Sequence, residues 1–412
     1  MARNIITSLD IGTSTVQTVV AERRKQDNGL QILGVGISPS VGVRRGVVVD
    51  IDDAVSSIRK SVEEAERASK TQIKSVYLAI GGAPTSVSSS RGVVAVSRAD
   101  GEISPEDVRR AIAAAETFIP KNPNKEILHI IPRDFKVDQE TGVKNPVGMH
   151  GVRLEVDTLV VEYSVPALKN IFKCVENAGL SVDDYVFAPL AAAEAVLTKR
   201  QKELGVMLLD IGGGTASFII FEEGAPIHAG VIPIGGGHIT NDLAIGFRTH
   251  VDVAENIKTA YGTCLAADIT KKENIHLAEF IEGETASFPR RELAEIIEAR
   301  LRDIFELLQK ELKKINRNQL LPAGVVLIGG SSLTPGLLEM TKKEVRLPVE
   351  AGIPHLFSEI LDNKSVASLA TSLGLIQWAN SRNQNSDSWW TNRLAMKNGQ
   401  NSFTKWLKSL LP

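Results

Sequence analysis

The sequence contains few cysteines and no long hydrophobic run. Its two cysteines, Cys174 and Cys264, have a separation that fits neither a metal site nor a redox motif. This usage indicates a protein of the reducing cytosol. No apolar stretch reaches the length of a membrane span, and no signal-peptide pattern precedes the strand predicted after Arg3. We therefore expect no segment that crosses a membrane.

The 412-residue chain also lacks an excess of either charge. Its 47 basic and 49 acidic residues give a net charge of −2, which provides no general reason to expect binding to nucleic acid. The seven histidines show no metal-ligand spacing, so we interpret them as structural. The length predicts two or more domains, and a hydrophobic content of 43% is typical of a globular protein.

The C-terminal segment differs in composition from the rest of the chain. Residues 381–412 are basic, and all tryptophans of the chain lie at or after position 378. The stretch 381–401 is polar and poor in β-branched residues, which predicts a flexible linker. Trp389 and Trp390 are unusual in a linker, and a patch folded back on the body is the alternative for that pair.

Residues 402–412 predict an amphipathic helix. Ser402 is a suitable N-cap, and apolar residues at i, i+3, i+4, i+7 and i+8 form one stripe with a lysine on each flank. A helix this short is marginal in water, but a membrane interface would stabilise it, with anionic lipid attracting the lysines. Docking on the protein itself or on a partner is the alternative. The residues expected to contact the membrane are Phe403, Lys405, Trp406, Leu407, Lys408, Leu410 and Leu411.

The most informative feature present is a tetrapeptide, Leu-Asp-Ile-Gly, that occurs twice, at Leu9–Gly12 and Leu209–Gly212. Each copy follows an apolar run and precedes a turn of glycine and hydroxyl residues, and a second apolar run comes next. The pattern predicts two buried strands joined by a tight hairpin, with an aspartate at the end of the first strand. Asp10 and Asp210 are therefore candidates to hold a metal through water.

The two predicted turns supply groups that bind phosphate. Glycine lets the backbone approach a ligand and direct N–H groups at it, and the hydroxyls add donors. An ordinary turn is the alternative for either copy alone, but two near-identical copies in halves of similar size argue against it. Two such hairpins could grip a metal–polyphosphate from both sides. The candidate residues are Gly12, Thr13, Ser14, Thr15, Gly212, Gly213, Gly214 and Thr215.

A third element supports a nucleotide site. The buried strand predicted at Val325–Ile328 runs into Gly329, Gly330 and Ser331. The glycine pair leaves a bare backbone surface, which suits a flat ring such as adenine.

Elsewhere the chain alternates strands and helices, with one exception. Segment 84–164 has short β-rich runs around a single helix capped at Ser104, and it predicts a small α+β insertion. The alanine-rich helix Pro189–Leu197 predicts close packing, as at a hinge between two halves. A long charged helix is predicted over Pro289–Lys314, and a helix over Val366–Asn380 closes the body.

These residues resemble the actin/DnaK-type chaperone/sugar-kinase ATPase superfamily, and within it the FtsA family of bacterial cell-division actin homologues. The resemblance implies an α/β, actin-like two-domain ATPase fold with a small α+β inserted subdomain and a C-terminal amphipathic helix. It also implies ATP and Mg²⁺ as ligands. The two hairpins correspond to the phosphate motifs and Gly329-Gly330 to the adenosine motif, while Asp10 and Asp210 would position Mg²⁺ and water.

Two further segments are similar to FtsA and its close relatives specifically. Val231–Leu243 contains Gly236 and Gly237, which join the candidate nucleotide site. In the stretch that begins at Ala254, Glu255 and Lys258 match family residues that face the sugar and base of the nucleotide.

The resemblance also implies a division into subdomains. We expect an insertion called 1C, a flexible linker and a membrane-targeting helix in addition to the actin-like parts. The expected ranges are 1–83, 165–197 and 361–380 for subdomain IA, 84–164 for 1C, 198–245 and 318–360 for IIA, 246–317 for IIB, 381–401 for the linker and 402–412 for the terminal helix.

The family resemblance implies an ATP-binding, filament-forming membrane adaptor. Such a protein tethers filaments of the tubulin-like FtsZ to the inner membrane at the division septum and recruits later division proteins, for which we expect the 84–164 insertion to be the binding part. The FtsZ C-terminal tail is expected on the helical subdomain, with Arg291 and Arg300 pairing to an acidic residue of the tail. We expect a peripheral protein on the cytoplasmic face of that membrane, bound to anionic lipid.

One departure from the superfamily pattern concerns hydrolysis. Chaperones and MreB-like actins carry a glutamate before the proline of the first connecting helix, where this chain has Ala188. Glu194 lies about two turns further along and is a poor substitute. Because positioning the attacking water is a large part of phosphoryl-transfer catalysis, we expect tight ATP binding with slow hydrolysis.

Two other functions are alternatives. A scaffold ATPase of type IV pilus assembly shares this fold and a related insertion, but it anchors through a partner's peptide, so the terminal helix argues against it. A sugar or metabolite kinase would need a catalytic aspartate and a substrate domain. The small 84–164 insertion argues against this enzyme class.

Overall fold

The computed structural model describes residues 4–24, 29–270, 272–355 and 367–384. These residues fall into two compact units. Among the described residues, the larger unit is formed by those from 4 to 86 and from 163 to 377, and the smaller by 87–162 and 378–384. Within the described ranges, no helix has both the length and the apolar character needed to cross a bilayer.

The larger unit contains two five-stranded sheets that share one topology. In each sheet, three strands that are consecutive in the chain pair antiparallel. Two further strands, parallel to the first of these three, lie on its other side. The first sheet has the spatial order β11 (Ser181–Phe187), β6 (Ser75–Ile80), β1 (Ile5–Ile11), β2 (Thr15–Arg23) and β3 (Leu30–Pro39). The second has the order β18 (Val349–Ala351), β17 (Val325–Ile328), β12 (Val206–Ile211), β13 (Ala216–Glu222) and β14 (Ala225–Ile232).

Helices and short strands complete the larger unit. The short strands are β4 (Val43–Arg44), β5 (Val47–Val48), β15 (Asn274–His276) and β16 (Ser287–Pro289). The helices are α1 (Ile51–Ser69), α3 (Val165–Asn177), α4 (Ala188–Val196), α5 (Lys199–Leu204), α6 (Gly236–Gly246), α7 (Val251–Tyr261), α8 (Arg290–Lys314), α9 (Leu337–Val345) and α10 (Ala370–Gln384), of which the last extends into the smaller unit.

The core of the second half forms between its sheet and α8. Leu301, Phe305 and Leu308 recur at helical spacing along α8 and are buried together with Phe218 of β13. Burial of side chains of this size contributes about 1.5–3 kcal/mol each, before the cost of ordering them. The amphipathic pattern of the sequence therefore predicted this helix, which begins one residue later than expected, at Arg290.

The alanine-rich helix α4 packs closely against α10. A Cβ atom on Gly374 of α10 would lie 1.9 Å from the carbonyl oxygen of Ala191, so the two backbones are in direct contact. Only a glycine permits this approach. The close packing expected from the alanines of this segment is confirmed.

The smaller unit is an α+β structure with its own core. Its sheet has the spatial order β7 (Thr85–Ala95), β10 (Arg153–Ser164), β8 (Lys125–Val137) and β9 (Glu140–Val143). The helix α2 (Pro105–Thr117) begins with a capping box, in which Ser104 and Asp107 satisfy each other's backbone N–H groups, as the sequence predicted. Phe135 and Leu154 from the sheet are buried with Val108 and Ala111 from α2.

The end of α10 differs from the sequence prediction. The helix continues to Gln384, four residues into the segment expected to be a linker. The reason is local, because no glycine or proline interrupts the chain between 378 and 384. The rest of that linker, Trp389 and Trp390, the terminal helix 402–412, and the expected boundary between 318–360 and 361–380 lie outside the described residues.

Candidate functional site

The two Asp-x-Gly motifs form the hairpins that the sequence predicted. β1 pairs with β2 so that Ile11 faces Val16, and β12 pairs with β13 so that Ile211 faces Ala216. In both turns the glycine N–H donates to the carbonyl oxygen of a threonine three positions later: Gly12 to Thr15 and Gly212 to Thr215, each at 3.0 Å. The two local sequences therefore form turns that are closed by the same backbone hydrogen bond.

The turns of the two hairpins face each other. A Cβ atom on Gly213 would lie 1.9 Å from Oγ of Ser14, and one on Gly214 would lie 2.5 Å from Oγ1 of Thr13. The glycines of the second turn are thus the residues that let the hydroxyls of the first turn approach. Side chains at these positions would separate the hairpins.

A third glycine turn sits on the second hairpin. The N–H groups of Gly236 and Gly237 donate to the carbonyl oxygens of Gly212 (2.9 Å) and Gly213 (2.7 Å). A Cβ atom on Gly235 would lie 2.4 Å from the Gly212 oxygen, which is backbone and cannot turn aside. The first turn of α6 is therefore attached directly to the hairpin.

The strand β17 ends at a glycine pair beside Asp210. Gly329 has a φ of +87°, and a Cβ atom there would lie 2.3 Å from Oδ1 of Asp210. Gly330, in contrast, has open space where a Cβ would be. The backbone at Gly330 is therefore bare and leaves room for a planar ring.

Lys258 of α7 joins this region through three contacts. Its Nζ donates to the Gly236 carbonyl (3.2 Å), to Oγ1 of Thr240 (2.7 Å) and to Oε2 of Glu255 (2.6 Å). The Lys258 side chain is 18% exposed and that of Glu255 is 47% exposed. The glutamate is therefore the more accessible of the two, which suits a group that contacts a ligand's hydroxyls.

All these elements surround a single cavity of about 610 Å³ in the larger unit. A volume of this size suits a small-molecule ligand. Every residue that the sequence predicted to bind a cofactor lines this cavity, as do Asp10 and Asp210. These are Gly12, Thr13, Ser14, Thr15, Gly212, Gly213, Gly214, Thr215, Gly236, Gly237, Glu255, Lys258, Gly329, Gly330 and Ser331.

The two aspartates carry the main electrostatic feature of the cavity. Burial, and next the charge of Asp210, raise the pKa of Asp10 to about 7, while burial raises the pKa of Asp210 to about 6. A metal cation beside these two carboxylates would favour their charged forms. In the described part of the chain, no group of three or more His, Cys, Asp and Glu side chains could form a metal cage. This donor set fits Mg²⁺, which is typically held by one or two carboxylates, water and substrate phosphates.

Some cavity residues were missed by the sequence reasoning. Gln17 faces Asp10 across the first hairpin, is 6% exposed, and donates from Nε2 to the Ser368 carbonyl (3.1 Å) while its Oε1 accepts from Ser372 (3.2 Å). Gly46 and the pair Gly81-Gly82 also line the cavity. The available signal was the alternation along β2, which places residue 17 on the same face as 15, but nothing local identifies its partners.

The residue before the proline of α4 lies at the cavity. Ala188 is among the lining residues. Glu194 accepts a hydrogen bond from Nζ of Lys202 at 2.7 Å, and it is absent from the described lining.

The two arginines expected to bind a partner lie on α8 and are engaged within the protein. Arg300 makes a two-pronged contact with Asp242 (2.7 and 3.0 Å) and a third with Asp303 (2.9 Å), and its side chain is 29% exposed. Hydrogen bonding to Asp242 raises the Arg300 pKa. Arg291 contacts Glu295 at 2.9 Å and is 45% exposed. An acidic partner would have to compete with Asp242 for Arg300.

Comparison with protein families gave two matches. A family model described as cell division protein FtsA matches residues 207–374. A second model, described as the SHS2 domain inserted in FTSA, matches residues 82–162. The second range nearly coincides with the segment 87–162 of the smaller compact unit.

Individual relatives cover most of the chain. The cell division protein FtsA of Pseudomonas aeruginosa is 39% identical over 91% of this chain and 89% of its own length. The protein of the same name from Bacillus subtilis is 37% identical over 90% of this chain and 82% of its own length. The one from Escherichia coli K12 is 32% identical over 99% of this chain and 97% of its own length.

Solved structures confirm the actin-like ATPase fold expected from the sequence. A chain of the PilM-PilN type IV pilus biogenesis complex matches with a TM-score of 0.67 at 17% identity, covering 91% of this chain and 98% of that one. MreB5 of Spiroplasma citri bound to ADP matches with a TM-score of 0.53 at 13% identity, covering 93% and 99%. At these identities the likeness concerns the fold alone.

Proposed function

Because the chain belongs to the FtsA family of cell-division actin homologues, we propose that it is an ATP-binding, filament-forming adaptor that tethers FtsZ filaments to the inner membrane at the division septum. Nucleotide binding is supported by one observation: two Asp-x-Gly hairpins and the Gly329-Gly330 surface all line one cavity. Family membership favours this role over the pilus scaffold, whose likeness is one of fold.

We assign parts of the cavity to parts of a magnesium nucleotide. The glycine and hydroxyl turns that meet at Gly213 and Ser14 suit the phosphates, since they combine backbone N–H groups with small side chains. Glu255 and Lys258 suit the ribose, and the bare backbone at Gly330 suits adenine. Bound Mg²⁺ would neutralise the phosphates.

Hydrolysis in this proposal is slow. Ala188 provides no acid or amide to orient a water, and Glu194 is held by Lys202. The nucleotide then acts mainly as a ligand that selects one conformation for assembly into filaments. The proposal also places later division proteins on the 84–164 insertion.

The partner and membrane parts of the proposal rest on separate segments. Arg291 and Arg300 on α8 are the candidate contacts for an acidic residue of the FtsZ tail. The terminal helix, with Trp406 between Lys405 and Lys408, is the candidate contact with anionic lipid. One such helix binds weakly, so stable attachment depends on several copies held together in a filament.

The first experiment is binding of a fluorescent FtsZ C-terminal tail peptide to the full chain with MgATP. Arg300→Glu is expected to abolish saturable binding. Arg302→Glu is the matched control, because Arg302 lies on the same helix, is 50% exposed and pairs with Glu298. Asp242→Asn should keep or strengthen binding, since it releases Arg300 from its internal contact.

The outcomes separate the parts of the proposal. Loss in Arg300→Glu with retention in the two other variants supports the tail site. Equal loss in all three would indicate damage to the packing of α6 on α8 instead. If Arg300→Glu binds the peptide as well as the unmodified chain does, the tail site lies elsewhere. If the unmodified chain does not bind the peptide, the FtsZ role is contradicted.

A further inference from the structure

Arg45 and His238 meet beside the second hairpin, although they lie 193 positions apart in the sequence. Arg45 belongs to the turn between β4 and β5, and His238 is the third residue of α6. Nη2 of Arg45 is 3.3 Å from Nε2 of His238. In the described part of the chain, no carboxylate accepts a hydrogen bond from Arg45.

The hydrogen bond on the other side of the imidazole determines which nitrogen carries its proton. Nδ1 of His238 accepts from the N–H of Gly235 at 3.1 Å, so Nδ1 is unprotonated. A neutral imidazole then has its single proton on Nε2. Burial, and next the charge of Arg45, lower the pKa of His238, which favours the neutral form of the ring.

The contact between the two side chains therefore joins two donors. The guanidinium of Arg45 has only N–H donors and no acceptor, and Nε2 of His238 also presents an N–H. Neither group satisfies the other. An anionic oxygen placed between them would accept from both, and charge-assisted hydrogen bonds of this kind are the strong ones.

The backbone that carries Arg45 is held firmly. Arg45 has a φ of +51°, its carbonyl accepts from the N–H of Ala83 (2.9 Å), and the N–H of Gly46 donates to Oγ1 of Thr13 (3.2 Å). The hydroxyl of buried Tyr163 lies 3.2 Å from the Gly46 carbonyl oxygen. The turn is thus built in advance, which lowers the cost of binding a ligand there.

The pair lies next to the turns assigned to phosphate. A Cβ atom on Gly214 would lie 3.0 Å from Cα of Arg45, and the N–H of Gly237, next to His238, donates to the Gly213 carbonyl. Gly46 and Gly237, the direct neighbours of the pair, both line the cavity, while Arg45 and His238 themselves lie just outside its described lining. A phosphate chain gripped by the hairpins would end close to these donors.

We propose that Arg45 and His238 form a two-donor clamp for an oxygen of the terminal phosphate of the bound nucleotide. This inference rests on the proposed nucleotide binding. In this clamp, Arg45 distinguishes ATP from ADP, and Nε2 of His238 donates the second hydrogen bond to the same phosphate oxygen. Because one residue comes from each half of the larger unit, the clamp links the presence of the terminal phosphate to closure of the cavity.

The test compares MgATP and MgADP affinities of the full chain by isothermal calorimetry. Arg45→Gln is the informative variant, because glutamine can accept from Nε2 of His238 and so keeps the tie between the halves while removing the cation. We expect ATP affinity to fall by about tenfold to a hundredfold and ADP affinity to stay unchanged. Arg44→Gln, one position earlier, is the control and should change neither affinity.

A second variant addresses His238. His238→Gln keeps a side-chain acceptor for the Gly235 N–H, since glutamine is a usual residue at the third position of a helix, but it removes the imidazole N–H. We expect a smaller loss of ATP affinity, again without a change for ADP. Circular dichroism of both variants should match that of the unmodified chain.

The results distinguish this inference from the function it rests on. An unmodified chain that binds neither nucleotide overturns both. Nucleotide binding that is unaffected in Arg45→Gln, or reduced equally for ATP and ADP, overturns the clamp alone. Inorganic phosphate added to the ADP complex provides a further arm. Phosphate binding lost in Arg45→Gln, with ATP affinity intact, would assign the clamp to free phosphate and overturn the assignment to the nucleotide.

Discussion

Replacing Asp210 with asparagine should stabilise the nucleotide-free protein in a pH-dependent way. Burial raises the pKa of Asp210 from 3.8 to about 6, so between these values the folded chain binds a proton that the unfolded chain has lost. The free energy of unfolding therefore falls as the pH rises through this window. At about 1.4 kcal/mol for each pKa unit, the folded protein carries a penalty of about 3 kcal/mol above pH 6.

Asparagine cannot ionise, so Asp210→Asn is free of this penalty. The variant should be up to about 3 kcal/mol more stable than the unmodified chain at about pH 8, and about 1.4 kcal/mol of that difference should disappear at about pH 5. The same substitution removes the charge that helps to raise the pKa of Asp10, which acts in the same direction. Urea unfolding of the full chain without nucleotide, at both pH values, measures the effect.

An exposed aspartate provides the control for Asp210→Asn. Asp268→Asn removes an exposed carboxylate and should give a difference that does not vary in this way with pH. MgATP should stabilise the unmodified chain more than Asp210→Asn at about pH 8, because the metal offsets the charge penalty. A stability difference independent of pH, or a variant less stable at about pH 8, would refute the electrostatic account of the cavity.

Three further predictions concern the cavity, the terminal helix and hydrolysis. Gly330→Val should leave urea stability unchanged and weaken MgATP binding, since its side chain enters open space in the cavity; Gly235→Ala should cost about 1–3 kcal/mol of stability, since its Cβ meets backbone at 2.4 Å. Trp406→Glu should lower co-flotation with anionic vesicles by about tenfold or more, and retention of binding would contradict the membrane role. Glu194→Gln should leave the rate of phosphate release from ATP unchanged, because Glu194 is held by Lys202, and a large loss would show that it orients the attacking water.

Much of the candidate site could be predicted because its components are local. The turn after Asp10 and the turn after Asp210 are each encoded within about ten neighbouring residues, through strand alternation and glycine. The same holds for the bare backbone after β17. Since the two motifs are near copies, recognising one predicted the other, and both lie on the same cavity.

The contacts of individual charged residues could not be predicted in this way. Arg300 was expected to be available to a partner, but Asp242 holds it from 58 positions earlier in the chain. The place of Gln17 in the cavity could not be predicted, because its partner Ser368 is 351 positions away in the chain. Sequence periodicity reports the face on which a residue lies, and it carries no information about which distant side chain meets it there.

The sequence by itself determined the hairpins, the glycine surfaces, the inserted segment and the family, because these depend on residue types at short spacing. Only the tertiary structure decided that the two turns face each other, that Asp10 and Asp210 line one cavity, and that Arg45 meets His238 donor to donor. The physical reason is that pKa shifts and hydrogen-bond partners depend on distances and burial. Those are set by how two separately encoded halves pack together.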